Sequence, residues 1–344
     1  MNLFWLACAL SGSAGAAPAS APPLVETRSR VIIVQNAAAT EAFEPRQEVI
    51  LGMVNSALTN LTRKATPVQA WRSLVSTKDI VGIKVYSAPG PNSGTHPAVA
   101  AAVVEGLLAA GVKPTNIIVW DKEKRDLILA GYMKLASRYG VQVEGSAAAG
   151  YDEKIFYEMP LIGALMYSDL EFGKQGEGVG RKSFVSKLVS KRLTKIINIT
   201  PLLNHYHAGV AGNLYSLAFG SVDNTFRFEQ SYHQNPDRLA QAVPEIYALE
   251  AVWDKVALNV VDALICQYAG QDEAKLQYAS TLNELRFSTD PVALDVLSLL
   301  ELDRLRQSSW NGSSATNYMR LYQNANLMGI GVSNPENIEV ERMK

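Results

Sequence analysis

The sequence predicts an α/β fold with a mostly parallel sheet, helices on both faces and an irregular inserted subdomain. Short strands that are apolar throughout alternate with segments of helical spacing, and the same strand–helix order returns after an irregular middle segment. Strands without polar alternation are typical of parallel sheets that are covered on both faces. A chain of 344 residues, 48% of them hydrophobic, supplies one large core, and we interpret 30–344 as a single domain.

The N-terminal residues are expected to lie outside that domain. We interpret 1–16 as a signal peptide, because the apolar run 3–10 is followed by Ala14-Gly15-Ala16, which fits a cleavage site. The Ala- and Pro-rich segment 17–29 predicts a linker. The protein is therefore expected to be exported to the periplasm or the extracellular space. Two alternatives stay open: a disordered N-terminus, because no Lys or Arg precedes the apolar run, and a lipoprotein anchor on Cys8.

Three strands and two helices are predicted in the first part of the domain. The strands are 30–34, 79–85 and 116–121, and the helices are 44–63 and 95–111. The strands are rich in β-branched residues, and the first helix repeats its apolar residues every three to four positions. Thr95 is expected to cap the second helix, which begins after a Gly- and Pro-rich loop.

The same pattern returns in the second part of the chain. The strands are 194–200 and 257–262, and the helices are 243–256 and 290–306. Asp290 and Pro291 suit the cap and the first position of the last helix. The segment of about 122–193 is less regular and predicts the insertion. Its glycine-rich turn at 173–180 lacks the Lys-Ser/Thr ending of a phosphate-binding P-loop.

Composition excludes several classes of function. The 32 basic and 33 acidic residues nearly cancel, and the basic run over 181–195 has no interleaved aromatics, so no nucleic-acid partner is expected. No segment is apolar for long enough to predict a transmembrane helix. Cys266 lies in an apolar setting and is expected to be a buried, inert thiol. The sequence predicts no particular oligomeric state.

Polar residues follow the predicted strands at points where their carboxyl ends would meet. In open α/β sheets, ligands bind beyond those ends. Lys84, Asp121 and Asp262 lie at three of them, and His96 stands at a helix start, where backbone N–H groups favour an anion. We expect catalytic roles for His96 (anion binding or proton transfer), for Lys84 (holding a substrate anion) and for Asp262 (an orienting group or base). The alternatives are a helix cap for His96 and a snorkelling edge residue for Lys84.

A histidine pair lies after another predicted strand. Residues two apart in extended backbone point to the same side, so His205 and His207 are able to reach one ion. With a carboxylate as third ligand, either Asp121, which we assign, or Asp262, they predict a site for a divalent transition metal of unknown identity. The alternative is a pair of loop histidines that are hydrogen-bonded to backbone.

Seven segments of the chain form an ordered set. They are Val81–Val85, Thr95–Pro97, AGVKPTNIIVWD ending at Asp121, INITPLLNHYHAGVAG, Phe219–Asn224 with Arg227 and Phe228, VVDAL around Asp262, and Ser288–Asp295. Together they resemble the family catalogued as domain of unknown function 362. The resemblance implies a domain but no reaction. Some relatives carry ferredoxin-like cysteine clusters, which this chain lacks, so an iron–sulfur cluster is not implied.

The chain is also similar, more distantly, to the N-terminal domain of the nickel-pincer lactate racemase family. That resemblance implies comparable parts for Thr95-His96-Pro97, for His205 or His207, and for His233. On these resemblances we assign His233 and Asn224 to cofactor binding. Many relatives in the first family have a Lys-Asn pair where this chain reads Asn213-Leu214-Tyr215, so covalent attachment of the racemase cofactor is not expected.

The first functional hypothesis is therefore an exported, metal- or cofactor-dependent enzyme that acts on a small anionic substrate. Its chemistry is expected to be proton transfer or metal-assisted hydrolysis. The alternatives are a non-catalytic protein that binds a small molecule or a metal, and a catalytically silent scaffold. All of these except the scaffold require the distant site residues to share one cavity.

Overall fold

The structure, a computed structural model, describes residues 28–230, 235–270, 274–309 and 318–344. The predicted signal peptide, nearly all of the predicted linker and His233 lie outside these ranges.

One large sheet organises the described residues. In chain order the strands are β1 (Ser29–Gln35), β2 (Thr40–Glu41), β3 (Glu44–Pro45), β4 (Val81–Lys84), β5 (Ile117–Asp121), β6 (Gln142–Gly145), β7 (Tyr151–Glu158), β8 (Lys182–Ser186), β9 (Lys195–His205), β10 (Gly209–Val210), β11 (Val256–Gln267), β12 (Ala279–Ser288) and β13 (Ile338–Met343). The spatial order in the large sheet is β13-β1-β12-β11-β9-β4-β5-β6, with β10 paired to β9.

The sheet is mostly parallel, as the sequence predicts. Strands β6, β5, β4, β9 and β11 pair in parallel, and β1 pairs in parallel with β13. Strand β12 runs antiparallel to both of its neighbours, and the short β10 runs antiparallel to β9. The chain moves outward from β4 to β5 and β6 and then returns to β9 on the other side of β4. In sheets of this kind, ligands generally bind at the carboxyl ends of the strands where the order reverses, which here are β4 and β9.

Helices cover both faces of the sheet. They are α1 (Gln47–Thr62), α2 (Pro67–Leu74), α3 (Pro97–Ala109), α4 (Lys124–Leu129), α5 (Met133–Tyr139), α6 (Ser146–Ala149), α7 (Asn213–Ser221), α8 (Phe226–Gln230), α9 (Asp237–Tyr247), α10 (Glu250–Trp253), α11 (Pro291–Ser309) and α12 (Met319–Leu327). Helices α1 to α5 bury their apolar residues against one face of the sheet, and α7 and α9 to α12 bury theirs against the other. We call these the α3 face and the α7 face.

Alternation along each strand assigns side chains to the two faces. In β4, Val81 and Ile83 pack into the core of the α3 face, so Lys84 falls on the α7 face, where it contacts Trp120. In β11, Val260 and Leu264 belong to the α3 face, and Asp262 between them falls on that same face. Strands β4 and β11, which are separated by β9 in the sheet, therefore deliver these polar residues to opposite faces.

The structure corrects several predicted boundaries. The insertion begins later than about residue 122, because α4, α5 and β6 continue the regular pattern and β6 joins the large sheet. The irregular part holds the separate β7–β8 pair. The predicted helix 243–256 is two helices followed by the start of β11, because the apolar residues continue across the turn between them. Strand β12 was not predicted.

No helix in the described ranges combines the length and the apolar character needed to cross a membrane.

Candidate functional site

His96 stands at the start of α3, directly beyond the end of β4. The loop before it is held by Thr95, whose Oγ1 accepts a hydrogen bond from the Tyr86 backbone N–H (3.0 Å) and donates one to the carbonyl of Ile199 in β9 (2.9 Å). The buried hydroxyl of Tyr132 donates to the carbonyl of Thr95. Pro97 occupies the first turn of α3, where a missing N–H costs nothing. The imidazole therefore has a fixed position at the edge of the sheet.

Asp262 in β11 holds His96 at two points. One carboxylate oxygen, Oδ2, lies 2.8 Å from the His96 backbone N and 2.8 Å from its Nδ1. Both residues are buried. An ionised carboxylate only accepts hydrogen bonds, so Nδ1 carries a proton and the imidazole is oriented through it.

The second ring nitrogen of His96 has no such partner. Nε2 is buried and has no hydrogen-bond partner among the described residues. Burial by itself favours neutral imidazole, but the Asp262 carboxylate outweighs it and, with a smaller contribution from Glu44, raises the pKa of His96 above its ordinary value. His96 thus has one ring nitrogen bound to Asp262, which favours its charged form, and a second that no described residue contacts by a hydrogen bond.

A cleft of about 710 Å³ opens on His96. Its walls come from the β2–β3 hairpin, the loop before α3, the first turns of α3, the segment from α4 to α5, and Ile265 and Leu276. Lys134 and Arg138 of α5 supply positive charge, and Glu44 supplies a negative one. Arg138 also donates to the side chain of Gln47 (3.0 Å), which ties α5 to α1. The cleft combines an oriented imidazole with two cationic side chains and one carboxylate.

Lys84 and Asp121 form a separate, sealed pair on the α7 face. Lys84 Nζ lies 2.8 Å from Asp121 Oδ1 and donates to the Val85 carbonyl (2.7 Å) and to Ser216 Oγ (2.9 Å). Asp121 accepts two further hydrogen bonds from the N–H and the hydroxyl of Ser87, each at 2.7 Å. The lysine is fully buried. Burial lowers the pKa of Lys84, and the Asp121 carboxylate offsets part of that shift.

Lys84 and Asp121 do not line the His96 cleft. The predicted site residues thus fall into two ion pairs, His96 with Asp262 and Lys84 with Asp121. His96 of the first pair lines a cavity, whereas the second pair is buried in the core. A catalytic role for Lys84 stays a prediction that the geometry does not favour.

His205 is the last residue of β9 and His207 lies in the turn before β10, and neither lines the cleft. The buried His205 accepts hydrogen bonds at Nδ1 from the backbone N–H groups of Ala208 (3.1 Å) and His207 (3.3 Å), and its ring packs on Tyr215 with centroids 4.0 Å apart. Burial, with a smaller effect of His207, lowers the pKa of His205 to about 3. His205 is therefore a neutral ring whose Nδ1 stabilises the turn.

The predicted metal set of His205, His207 and Asp121 is not assembled. Within the described ranges, no group of three or more His, Cys, Asp or Glu side chains is placed to hold a metal ion. Asp121 is committed to Lys84 and Ser87 instead. His205 uses Nδ1 for the backbone of its own turn, so that nitrogen is not free for an ion.

Asn224 is buried, and its side chain is hydrogen-bonded to backbone carbonyls of the protein. Its backbone takes the left-handed conformation (φ 45°), and its amide donates to the carbonyls of Gly180 (2.9 Å) and Lys182 (2.8 Å). Its N–H donates to Asp169 Oδ1 (2.8 Å). Asn224 therefore fastens the irregular insertion to the turn after α7. His233, the other residue assigned to cofactor binding, lies outside the described residues.

Sequence reasoning missed the cleft residues of α5 and the hairpin. Lys134 and Arg138 are four positions apart, the spacing that places two side chains on one helix face, which is the signal that points to them. They were missed because they fall inside the segment predicted to be irregular. Glu44 was missed because 44–63 was predicted as one helix, whereas Glu44 lies in β3.

The comparisons with known proteins give one family match. A family model described as a domain of unknown function (DUF362) matches residues 81–299. No curated protein matches the chain. A crystal structure of a Thermotoga maritima protein, a Northeast Structural Genomics Consortium target, superposes with a TM-score of 0.42 at 13% identity, over 78% of this chain and 60% of that one. This chain thus spans less than two thirds of that protein. None of the matches shows the similarity to lactate racemases.

Proposed function

The chain belongs to the domain of unknown function 362 family, whose model covers more than half of it. For this member of the family we propose, from the geometry around His96, that the protein is an enzyme. In this proposal His96, oriented by Asp262, transfers a proton to or from a small anionic substrate bound in the cleft. The reaction class is general acid–base catalysis.

The observation that carries the proposal is that, among the described residues, only one of the two ring nitrogens of His96 has a hydrogen-bond partner. Nδ1 is bound to Asp262 at 2.8 Å, while Nε2 is buried, has no partner in the described parts of the chain, and belongs to a residue that lines the cleft. Buried polar atoms without a partner are uncommon, and they are costly unless a ligand or water completes them. A substrate atom at Nε2 supplies that partner.

The remaining groups suit this chemistry. When neutral His96 takes a proton at Nε2, the carboxylate of Asp262 stabilises the imidazolium that forms. Lys134 and Arg138 stabilise negative charge on the substrate, including charge that develops when a proton leaves. Lys84 and Asp121 serve the site indirectly in this proposal, since Asp121 fixes Ser87 in the loop that leads to His96.

Solvent-exchange spectroscopy tests the proposal. The protein is incubated in D₂O with lactate or malate, and loss of the C–H signal next to the carboxylate is followed by NMR. We expect exchange with at least one acid, and we expect His96→Gln to slow it by about a hundredfold or more, the usual contribution of a positioned acid–base group. Asp262→Asn should also slow exchange, because neutral Asn does not stabilise the imidazolium. His207→Gln, outside the cleft, is the matched control and should exchange at the wild-type rate.

Two outcomes contradict the proposal. Exchange that continues at the wild-type rate in His96→Gln removes His96 from the mechanism. Binding of these acids that shifts the His96 ring resonances, with no exchange for any acid, shows instead a non-catalytic protein that binds small anions.

Export remains part of the proposal and is supported by the leader pattern in residues 1–16. Fractionation of cells that express the full chain, followed by N-terminal sequencing, should recover the protein outside the cytoplasm with its new N-terminus just after Ala16. Recovery of the intact chain in the cytoplasm would contradict export.

A further inference from the structure

The mouth of the His96 cleft carries two large apolar side chains that face solvent. Phe43 in the β2–β3 hairpin is 57% exposed, and Leu276 is 66% exposed. Both line the cleft. A single exposed apolar residue needs no explanation, but two at one cavity mouth are typical of a surface that meets an apolar partner.

The hairpin that presents Phe43 is held in a strained conformation. Ala42 (φ 49°) and Phe43 (φ 66°) both take left-handed backbone angles, which favour glycine or asparagine over residues with larger side chains. The hairpin is anchored at its base, where Thr40 Oγ1 donates to Asn283 Oδ1 (2.6 Å) and the Arg46 N–H donates to the Ala39 carbonyl (2.8 Å). Strain of this kind persists where the surrounding structure enforces it, and it clusters at ligand-binding sites.

The apolar character of the mouth continues into the cleft. The interior wall is formed by buried and half-buried apolar residues, namely Pro97, Ala98, Ala101, Ala130, Leu135 and Ile265. Hydrocarbon that enters the cleft therefore leaves water for an apolar lining, which is the main source of affinity in pockets of this kind.

The positive charges of the cleft come from α5, and Glu44 of the β2–β3 hairpin adds one negative charge. Lys134 and Arg138 project from α5, and Lys134 has no ion-pair partner in the described ranges. Arg138 lies 3.7 Å from Glu105 and is largely exposed, so it keeps donors available for a ligand. One end of the ligand therefore meets cations and His96, and the rest meets hydrocarbon.

From this arrangement we infer that the ligand of the cleft is an amphipathic organic anion. Its acidic group lies between His96 and the two cations of α5, and its alkyl or aryl part lies against Phe43, Leu276 and the apolar wall. Small polar anions such as acetate or inorganic phosphate satisfy only the first half of this cleft. The inference rests on the proposed function for its site and deepens it by naming the substrate class.

Binding measurements with four probes test both halves of the inference. Hexanoate, acetate, 1-hexanol and inorganic phosphate are titrated into the full chain by calorimetry, with the His96 ring resonances as a second readout. Hexanoate should bind at least about tenfold more tightly than acetate, because its four additional methylene groups leave water. It should also bind at least about tenfold more tightly than 1-hexanol, which lacks the charge.

Single substitutions test which residues bind the apolar part of the ligand and which bind its acidic group. Phe43→Ser and Leu276→Ser should each weaken hexanoate binding by about three- to tenfold and leave acetate binding unchanged. Lys134→Gln should weaken hexanoate and acetate alike. Leu327→Ser removes another exposed leucine (83% exposed) that does not line the cleft, and it should change nothing. Thermal unfolding of each variant establishes that it is folded.

The outcomes separate this inference from the proposed function. Equal affinity for hexanoate and acetate overturns the amphipathic ligand, even when His96-dependent proton exchange is observed. Tight hexanoate binding that Phe43→Ser and Leu276→Ser leave unchanged also overturns it. Selective hexanoate binding without exchange supports the ligand class and contradicts the enzyme. If sedimentation shows a dimer that Phe43→Ser dissociates, and hexanoate does not bind, the exposed residues serve self-association instead.

Discussion

Two buried ion pairs lie at the same edge of the sheet, and they differ in whether all of their polar atoms have hydrogen-bond partners. On the α7 face, Lys84 contacts Asp121 at 2.8 Å and donates to two further oxygens. On the α3 face, His96 contacts Asp262 at 2.8 Å through one ring nitrogen and leaves the other without a partner in the described structure. Each pair joins a cation-forming side chain to a carboxylate, and the histidine of the second pair lines the cleft described above, whereas Lys84 and Asp121 do not.

The difference shows how similar groups take different roles. A buried charge is costly unless its donors and acceptors form hydrogen bonds. Other groups of the protein supply those hydrogen bonds for Lys84 and Asp121. In the His96 pair, Nε2 of the imidazole has no hydrogen-bond partner in the described structure, and a ligand is able to supply one. An ion pair whose hydrogen bonds are all made within the protein is typical of a structural role. An ion pair that lacks a hydrogen-bond partner beside a cavity is typical of a functional site.

The largest effect is expected from breaking the sealed pair. Lys84→Met leaves the Asp121 carboxylate buried without its cation and should lower the free energy of unfolding by about 3–5 kcal/mol. Urea denaturation measures this loss. The double variant Lys84→Met/Asp121→Asn should recover part of it, because the uncompensated charge is gone.

A loss of less than about 1 kcal/mol in Lys84→Met would contradict the structural role of this pair. If the variant also changes the pKa of His96, measured by NMR, the two pairs form one coupled unit and the contrast between them fails.

A smaller effect is expected from the glycine that accommodates the lysine. A Cβ on Gly220 of α7 would lie 2.3 Å from Lys84 Cε, so Gly220→Ala should displace the lysine and destabilise the protein by about 1–3 kcal/mol. Gly52 of α1 is the matched control, because a Cβ there meets nothing within 4 Å. Gly52→Ala should stabilise the protein by about 0.5–1 kcal/mol through helix propensity. Equal effects of the two substitutions in urea denaturation would contradict the close packing around Lys84.

The smallest effect on stability is expected from the pH dependence of the open pair. Asp262 raises the pKa of His96 in the folded protein despite burial, so the folded state holds this proton more tightly than the unfolded chain. The pair's contribution is complete below the ordinary histidine pKa of about 6.5 and is lost as the pH rises through the raised pKa of folded His96. His96→Gln should remove this part of the pH profile in unfolding experiments between about pH 5.5 and 9. Profiles that stay parallel in the two proteins would contradict the raised pKa.

The alternation of apolar strands and helices was sufficient to predict the α/β class, because both periods are set by local backbone geometry. It also placed Lys84 and Asp121 at strand ends, but Asp262, predicted at a strand end, lies in the middle of β11, which continues to Gln267. It did not predict strand β12 or the sheet membership of β6, because pairing depends on segments that are distant in the chain. Nor did it predict Lys134 and Arg138 as cleft residues, since their importance comes from the position of α5 beside α3.

Local sequence was enough for the kind of fold, for the helix that begins at His96 and for the chemistry that its strand ends carry. The packed molecule was needed to show which partner each residue takes and which face of the sheet it reaches. The physical reason is the range of the forces involved. Backbone periodicity and capping act over a few residues, whereas the partners of His96 and Lys84 come from β11 and β5, and they meet only after the strands have paired and the core has closed.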